Sequence, residues 1–229
     1  MAGRPTVGSK RYAVPERYFK HIAVIAFIFG AVLSFSGVSN AAEPLRILAL
    51  GDSLTAGYGL DTDDGFPSQL QRKLIAMGYS ARVLNGGVSG DTSAGGLARL
   101  AWALADRPSH AIIELGANDG LRGLDPGAMR ENLDAIIGRL KRAGIAVLLT
   151  GMRAPPNLGR TYEAAFNNVF AELAEKHDVV YYPFFLSGVA ARPALNLADG
   201  IHPNKDGVAV IVDRITPYVV RLLKNRKQE

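Results

Sequence analysis

The strongest constraint on this chain is a set of five short apolar runs, none of which alternates in polarity. They are Leu45–Leu50, Arg82–Leu84, Ala111–Leu115, Ile145–Thr150 and Val179–Tyr182. A strand with one wet face alternates apolar and polar residues, whereas a strand covered on both faces reads as one apolar run. Between these runs lie longer segments with helical spacing: Phe66–Met77, Ser93–Ala105, a segment from Asp125-Pro126 to Arg142, Gly159–Lys176 and Lys205–Lys224. Asp125-Pro126 has the chemistry of a helix start, a capping carboxylate followed by proline in the first turn. Gly144 ends that helix, and Pro217 is expected to bend the last one. Strands alternating with helices imply parallel pairing, and apolar strands imply helices on both faces. The expected fold is therefore an α/β/α sandwich of three layers around a five-stranded parallel sheet.

The segment before this pattern reads differently. Residues 1–41 carry Arg4, Lys10, Arg11, Arg17 and Lys20 against a single acid, Glu16. They also hold the apolar run Ile22–Phe35, too short for a comfortable membrane span, followed by Ser39-Asn40-Ala41. Cations, a short apolar stretch and small residues in that order are the layout of a secretory signal, with cleavage expected after Ala41. Residues 42–229 are then expected to form one domain, periplasmic in a Gram-negative source and secreted otherwise. The formal charge of +5 misleads here: the first 41 residues hold five of the 26 basic side chains and one of the 21 acidic ones. The rest of the chain is nearly neutral, so charge gives no reason to expect nucleic acid or stable membrane insertion as a partner. The chain has no cysteine, so disulfides, thiolate metal sites and lipid attachment at cysteine are excluded.

An open parallel sheet places its site beyond the carboxyl ends of the strands. The first strand runs into Gly51-Asp52-Ser53-Leu54, the second into Asn85-Gly86-Gly87-Val88-Ser89-Gly90-Asp91, and the third into Gly116-Ala117-Asn118-Asp119-Gly120. Glycine and small polar residues suit backbone that approaches a ligand closely. Beyond the leader the histidines are His110, His177 and His202. His110 precedes the third strand and His177 the fifth, so both belong at the opposite edge, as solvated residues at helix ends. His202 lies in Asp199-Gly200-Ile201-His202-Pro203, before the last helix. A carboxylate three residues before an imidazole can turn back onto its Nδ1 proton, leaving Nε2 to take a proton from Ser53. A serine at a helix N-terminus also has free amides at hand for developing negative charge.

These blocks, in this order, resemble the SGNH or GDSL hydrolase superfamily. The resemblance rests on Gly-Asp-Ser-Leu at 51–54, Gly90, Gly-x-Asn-Asp at 116–119 and Asp-Gly-Ile-His-Pro at 199–203, and it runs from Leu45 almost to the end. Five further segments are similar to the subgroup of periplasmic acyl-CoA thioesterases, lysophospholipases and arylesterases. They are Ser89–Ser93, Gly96–Leu100, Glu114–Gly123, Asn157–Arg160 and Pro183–Phe185. The resemblance implies a flavodoxin-like sheet order, Ser53 as nucleophile, His202 as base and Asp199 as its orienting acid. It further implies an oxyanion hole from Ser53, Gly90 and Asn118, no cofactor, a monomer, and a small acyl ester, thioester or lysophospholipid as substrate. Leu121, Leu124, Met152, Ala154, Pro155, Pro156 and Leu158 fall in loops after the third and fourth strands. They either line an acyl groove or cover the core. Gly86-Gly87 departs from the bulkier residues of the family.

Competing readings are a carbohydrate O-acetyl esterase of the same superfamily and a metal-dependent phosphoesterase built on Asp52, Asp91, Asp119, Asp199 and His202. No Gly-x-Ser-x-Gly surrounds Ser53, since Thr55 takes the fifth position. Neither a P-loop nor Gly-x-Gly-x-x-Gly occurs, so nucleotide binding has no support.

Overall fold

A computed structural model describes residues 43–224 and Gly3. The expected leader and its cleavage point after Ala41 lie outside the described residues, Gly3 apart. In chain order the elements are β1 (Leu45–Gly51), α1 (Ser53–Ala56), α2 (Phe66–Ala76), β2 (Ala81–Gly87), α3 (Ser93–Ala98) and α4 (Leu100–Ala103). There follow β3 (His110–Glu114), α5 (Ala117–Leu121), α6 (Pro126–Arg142), β4 (Ala146–Thr150), α7 (Arg160–His177), β5 (Val180–Tyr182) and α8 (Lys205–Lys224).

All five strands pair in parallel, in the order β2-β1-β3-β4-β5. Helices α2 and α8 pack together on one side, and α3, α6 and α7 on the other. Both faces are thereby covered, which is why β3 is buried at every residue. The edge strand β2 is the exception, leaving Arg82 and Asn85 exposed. Phe66 and Phe185 meet edge to face in the core, with ring centroids 5.1 Å apart, and Phe166 and Phe170 do so at 5.6 Å.

The chain leaves β1 in one direction to form β2 and returns on its other side to form β3. That reversal opens a crevice between the carboxyl ends of β1 and β3, where ligands bind in such sheets. Close approach there demands glycine. A Cβ on Gly87 would lie 2.2 Å from the Ala56 nitrogen, so the bare backbone of β2 lets α1 settle onto the sheet edge. This supplies a physical reason for the unusual glycine pair at 86–87.

Three local expectations need correction. The helix expected over Ser93–Ala105 is broken at Arg99, whose side chain is drawn to Asp91 and to the Gly51 carbonyl. His110 is at the expected edge but wholly buried, its Nδ1 2.9 Å from Ser109 Oγ. His177 is mostly buried and bonded to Asp134. These three apart, Pro217, the expected point of bending, lies inside helix α8, and Thr216 Oγ1 donates to the Val212 carbonyl at 2.6 Å. Among the described residues no helix is long and apolar enough to cross a membrane.

Candidate active site

Ser53 opens α1 directly after β1, so its N–H has no partner within the helix. Asp52 caps the same helix, its Oδ1 accepting from the Leu54 amide at 3.0 Å. Gly57 closes α1 with φ of 83°, a left-handed value that glycine adopts without penalty. Ser53 is thus held on a single short turn, pinned at both ends.

His202 reaches Ser53 from 149 residues away in sequence: Nε2 lies 2.9 Å from Ser53 Oγ. Its loop is a small closed structure. The Leu197 amide donates to the His202 carbonyl at 2.7 Å, and Asn196 bridges Pro203. Asn204 then caps α8, accepting from the Asp206 and Gly207 amides at 3.1 and 2.9 Å. Gly207 must lack a side chain because a Cβ would meet the Leu195 carbonyl oxygen at 2.1 Å. The base of the loop is therefore tightly seated, while its tip at Asp199, Gly200 and Ile201 is exposed.

Asp199 divides its oxygens. Oδ1 accepts from the Ile201 and His202 amides at 2.9 and 3.0 Å, and Oδ2 lies 2.7 Å from His202 Nδ1. These donors hold its carboxyl down to about 2, the His202 amide most strongly. A carboxylate that stays ionised makes Nδ1 the protonated nitrogen and leaves Nε2 free to accept from Ser53. The ring of Tyr58 lies over this imidazole, with centroids 4.4 Å apart.

The neighbouring loops bring Gly90 and Asn118 to the same crevice. Gly90 has φ of 85°, and its N–H donates to no group among the described residues. Its carbonyl accepts from Arg122 at 2.8 Å. Asn118 Nδ2 donates to the Asp91 carbonyl at 2.9 Å and to Asp52 Oδ2 at 3.1 Å. Both amide hydrogens are thus directed at protein acceptors.

The other carboxylates have separate duties. Asp119 clamps α3, accepting from the Ser93 amide and hydroxyl at 2.8 and 2.6 Å, and Asp91 pairs with Arg99. Of the seven residues expected in loops near an acyl groove, Met152 and Ala154 belong to the buried core, Pro155 and Leu158 are half-buried, and Pro156 is exposed. Leu121 and Leu124 are exposed beside α5.

Sequence reasoning passed over Tyr58, Arg99 and Glu114. Glu114 left a trace, as the one ionisable residue inside the otherwise apolar run Ala111–Leu115. Tyr58 and Arg99 left none, since neither spacing nor residue type distinguishes them from surface residues.

Comparison with known proteins gives the family. The model of the GDSL-like lipase/acylhydrolase family matches residues 49–210. The chain is 39% identical to the Pseudomonas aeruginosa protein named esterase TesA, over 86% of this chain and 99% of that one. It is equally similar to the thioesterase 1/protease 1/lysophospholipase L1 of Escherichia coli K12, over 82% of this chain and 88% of that one. Among solved structures it resembles the psychrotrophic esterase EstA from Pseudoalteromonas sp., in a form inhibited by monoethylphosphonate. That match has a TM-score of 0.75 and 36% identity, covering 79% of this chain and all of EstA. On the extent of these matches, the chain belongs to the GDSL-like lipase/acylhydrolase family and is a hydrolase of acyl bonds.

Proposed function

We propose that Ser53, His202 and Asp199 form a catalytic triad that cleaves acyl esters and thioesters in two steps. The observation that carries this reading is the 2.9 Å contact between His202 Nε2 and Ser53 Oγ, with Asp199 seated on the far ring nitrogen. In the first step Ser53 Oγ attacks the acyl carbonyl while His202 Nε2 takes its proton. The carbonyl oxygen becomes an anion held by the Ser53 and Gly90 amides and by Asn118, which shares with it the hydrogen turned toward Asp52. Collapse breaks the bond to the leaving alcohol or thiol, and His202 returns the proton to that group. Water then repeats the sequence on the acyl-enzyme, again with His202 as base, and frees the acid. Asp199 keeps its charge throughout and orients the imidazolium.

Ester, thioester and lysophospholipid substrates are supported by the names of the relatives, and exposed Leu121 and Leu124 offer apolar surface for an acyl chain. The phosphoesterase alternative gains nothing from Asp91 and Asp119, whose carboxylates are engaged with Arg99 and Ser93. We further propose that residues 1–41 direct export to the periplasm or beyond, and that residues 42–229 act as a monomeric domain.

Ser53→Ala tests the reading. The variant should fold as the parent does and lose nearly all turnover of p-nitrophenyl acetate, and a p-nitrophenyl alkylphosphonate should inactivate the parent at Ser53, forming the Oγ–P bond as p-nitrophenolate leaves. Parent-like turnover in the variant would overturn the assignment. Acyl-CoA and lysophospholipid, assayed beside a chain-length series of p-nitrophenyl esters, rank the substrate classes.

A further inference from the structure

Behind Ser53 lies a buried pair of carboxyl groups that the triad does not use. Asp52 and Glu114 are 0% and 1% exposed. They come from paired strands: Glu114 is the register partner of Gly51, and Asp52 follows Gly51 in the chain. A Cβ on Gly51 would sit 2.0 Å from Thr55 Oγ1 and 2.6 Å from Glu114 Oε2, so glycine there is what admits the cluster. Glu114 Oε2 accepts from Thr55 Oγ1 at 2.8 Å and from the Asp52 amide at 3.4 Å. Glu114 Oε1 is buried and has no hydrogen-bond partner among the described residues.

Two buried carboxyls in contact cannot both be ionised at modest cost. Burial, and then the charge of Asp52, push Glu114 well above the usual carboxylate range. Burial also pushes Asp52 up to about 6, opposed by the Leu54 amide, by a hydrogen bond from Glu114, and by Asn118. A proton on Glu114 makes that side chain a donor, and the carboxyl with which it shares a hydrogen bond is Asp52. Asp52 is then an acceptor on both oxygens. That matters for Asn118, whose side-chain amide can present either nitrogen or oxygen to the crevice. With Asp52 Oδ2 and the Asp91 carbonyl both restricted to accepting, the nitrogen is the end that fits. Were Asp52 protonated, its hydroxyl would call for the Asn118 oxygen while the Asp91 carbonyl still called for the nitrogen, and the amide would lose its single fixed orientation.

We propose that Glu114 is a positioning residue, which by keeping the shared proton leaves Asp52 an acceptor and so acts with the Asp91 carbonyl to hold the Asn118 nitrogen, not its oxygen, at the crevice, where the hydrogen shared with Asp52 serves the oxyanion. This rests on the reading of Asn118 as an oxyanion donor. The charged or titratable groups facing the pair are His202 through space, and Arg99, which holds the Gly51 carbonyl and is itself paired with Asp91.

The test compares Glu114→Gln, Glu114→Leu and Asp52→Asn, with active Ser53 counted by phosphonate titration. Glutamine can donate to Asp52 and still accept from Thr55, so kcat should stay within about threefold of the parent. Leucine removes both roles, so kcat should fall about tenfold or more with KM little changed, as for loss of a contact made in the transition state. As pH falls through about 6 the parent's kcat should fall with protonation of Asp52, and Asp52→Asn should remove that part of the slope. A glutamine variant as damaged as the leucine one, or a slope that Asp52→Asn leaves unchanged, would overturn the proposal; should leucine prevent folding, the glutamine and slope measurements still decide. A parent that phosphonate does not titrate would instead refute the role of Ser53.

Discussion

Two aspartates support the Ser53 site, one behind His202 and one at the head of α1, and their surroundings push them in opposite directions. Asp199 sits at an exposed loop tip, accepts from two amides and an imidazole, and is held down to about 2. Asp52 is sealed between β1, β3 and α5, and burial drives it up to about 6. Exposure does not weaken the first, because donors a few residues away in its own loop accompany it wherever the loop goes. Nor does burial neutralise the second at neutral pH, because a neighbouring acid takes the proton instead. Charge that must survive the reaction is thus secured by local donors. Charge that only has to orient an amide is left poised near its point of protonation.

Asp199→Asn and Asp52→Asn give the widest separation between the two. An asparagine at 199 could still cap the Ile201 and His202 amides, but it would turn an N–H toward Nδ1 or favour the wrong tautomer. We expect kcat to drop about 10³- to 10⁴-fold at neutral pH. Asp52→Asn acts at one remove, through Asn118, and should cost no more than about a hundredfold. Equal losses in the two variants, measured as kcat on p-nitrophenyl acetate, would erase the distinction.

The same contrast separates what was legible in the sequence from what was not. The Asp199–His202 unit was readable because its contacts are local: the spacing is fixed by one turn, and Gly200 and Pro203 mark that turn. Ser53, Gly90 and Asn118 were readable because sheet topology places every such loop at one edge. The Asp52–Glu114 pair was not, since strand register brings together residues 62 positions apart. Arg99 hid for a related reason. Its residue type and spacing fit a continuous helix, and only its reach to Asp91 and the Gly51 carbonyl breaks that helix. The burial of Met152 and Ala154 likewise depends on the packing around β4, which loop position alone does not reveal.

Glycine substitutions sharpen the comparison at the level of stability. Gly51→Ala would press a methyl group against Thr55 and Glu114, at 2.0 and 2.6 Å, inside the sealed cluster. Overpacking of that kind costs about 3 kcal/mol, and here kcat should fall with it, because Thr55 and Glu114 must shift. Gly200→Ala meets nothing within 4 Å, and its penalty comes from a backbone φ of 71° alone. About 1 kcal/mol is expected there. Urea denaturation of both variants should rank them in this order.

The last contrast is the dependence of stability on pH, whose sign differs between the two aspartates. Asp52 and Glu114 hold protons more tightly folded than unfolded, so their contribution to stability is full below the unfolded carboxylate range, near pH 4. For Asp52 it is lost as pH rises through about 6, and for Glu114 it goes on falling beyond that. Asp199 does the reverse: its contribution is present above about pH 4 and disappears as pH drops toward 2. Between pH 7 and 4.5 the buried pair should therefore make the protein more stable on acidification, by at most about 1.4 kcal/mol per pH unit for each group. Activity should decline over the same interval as Asp52 takes up a proton. Denaturation midpoints followed across that window should rise as kcat falls, and Asp52→Asn should flatten the rise. A midpoint that instead falls in step with kcat from pH 7 downward would mean that the pair is not buried with a shared proton.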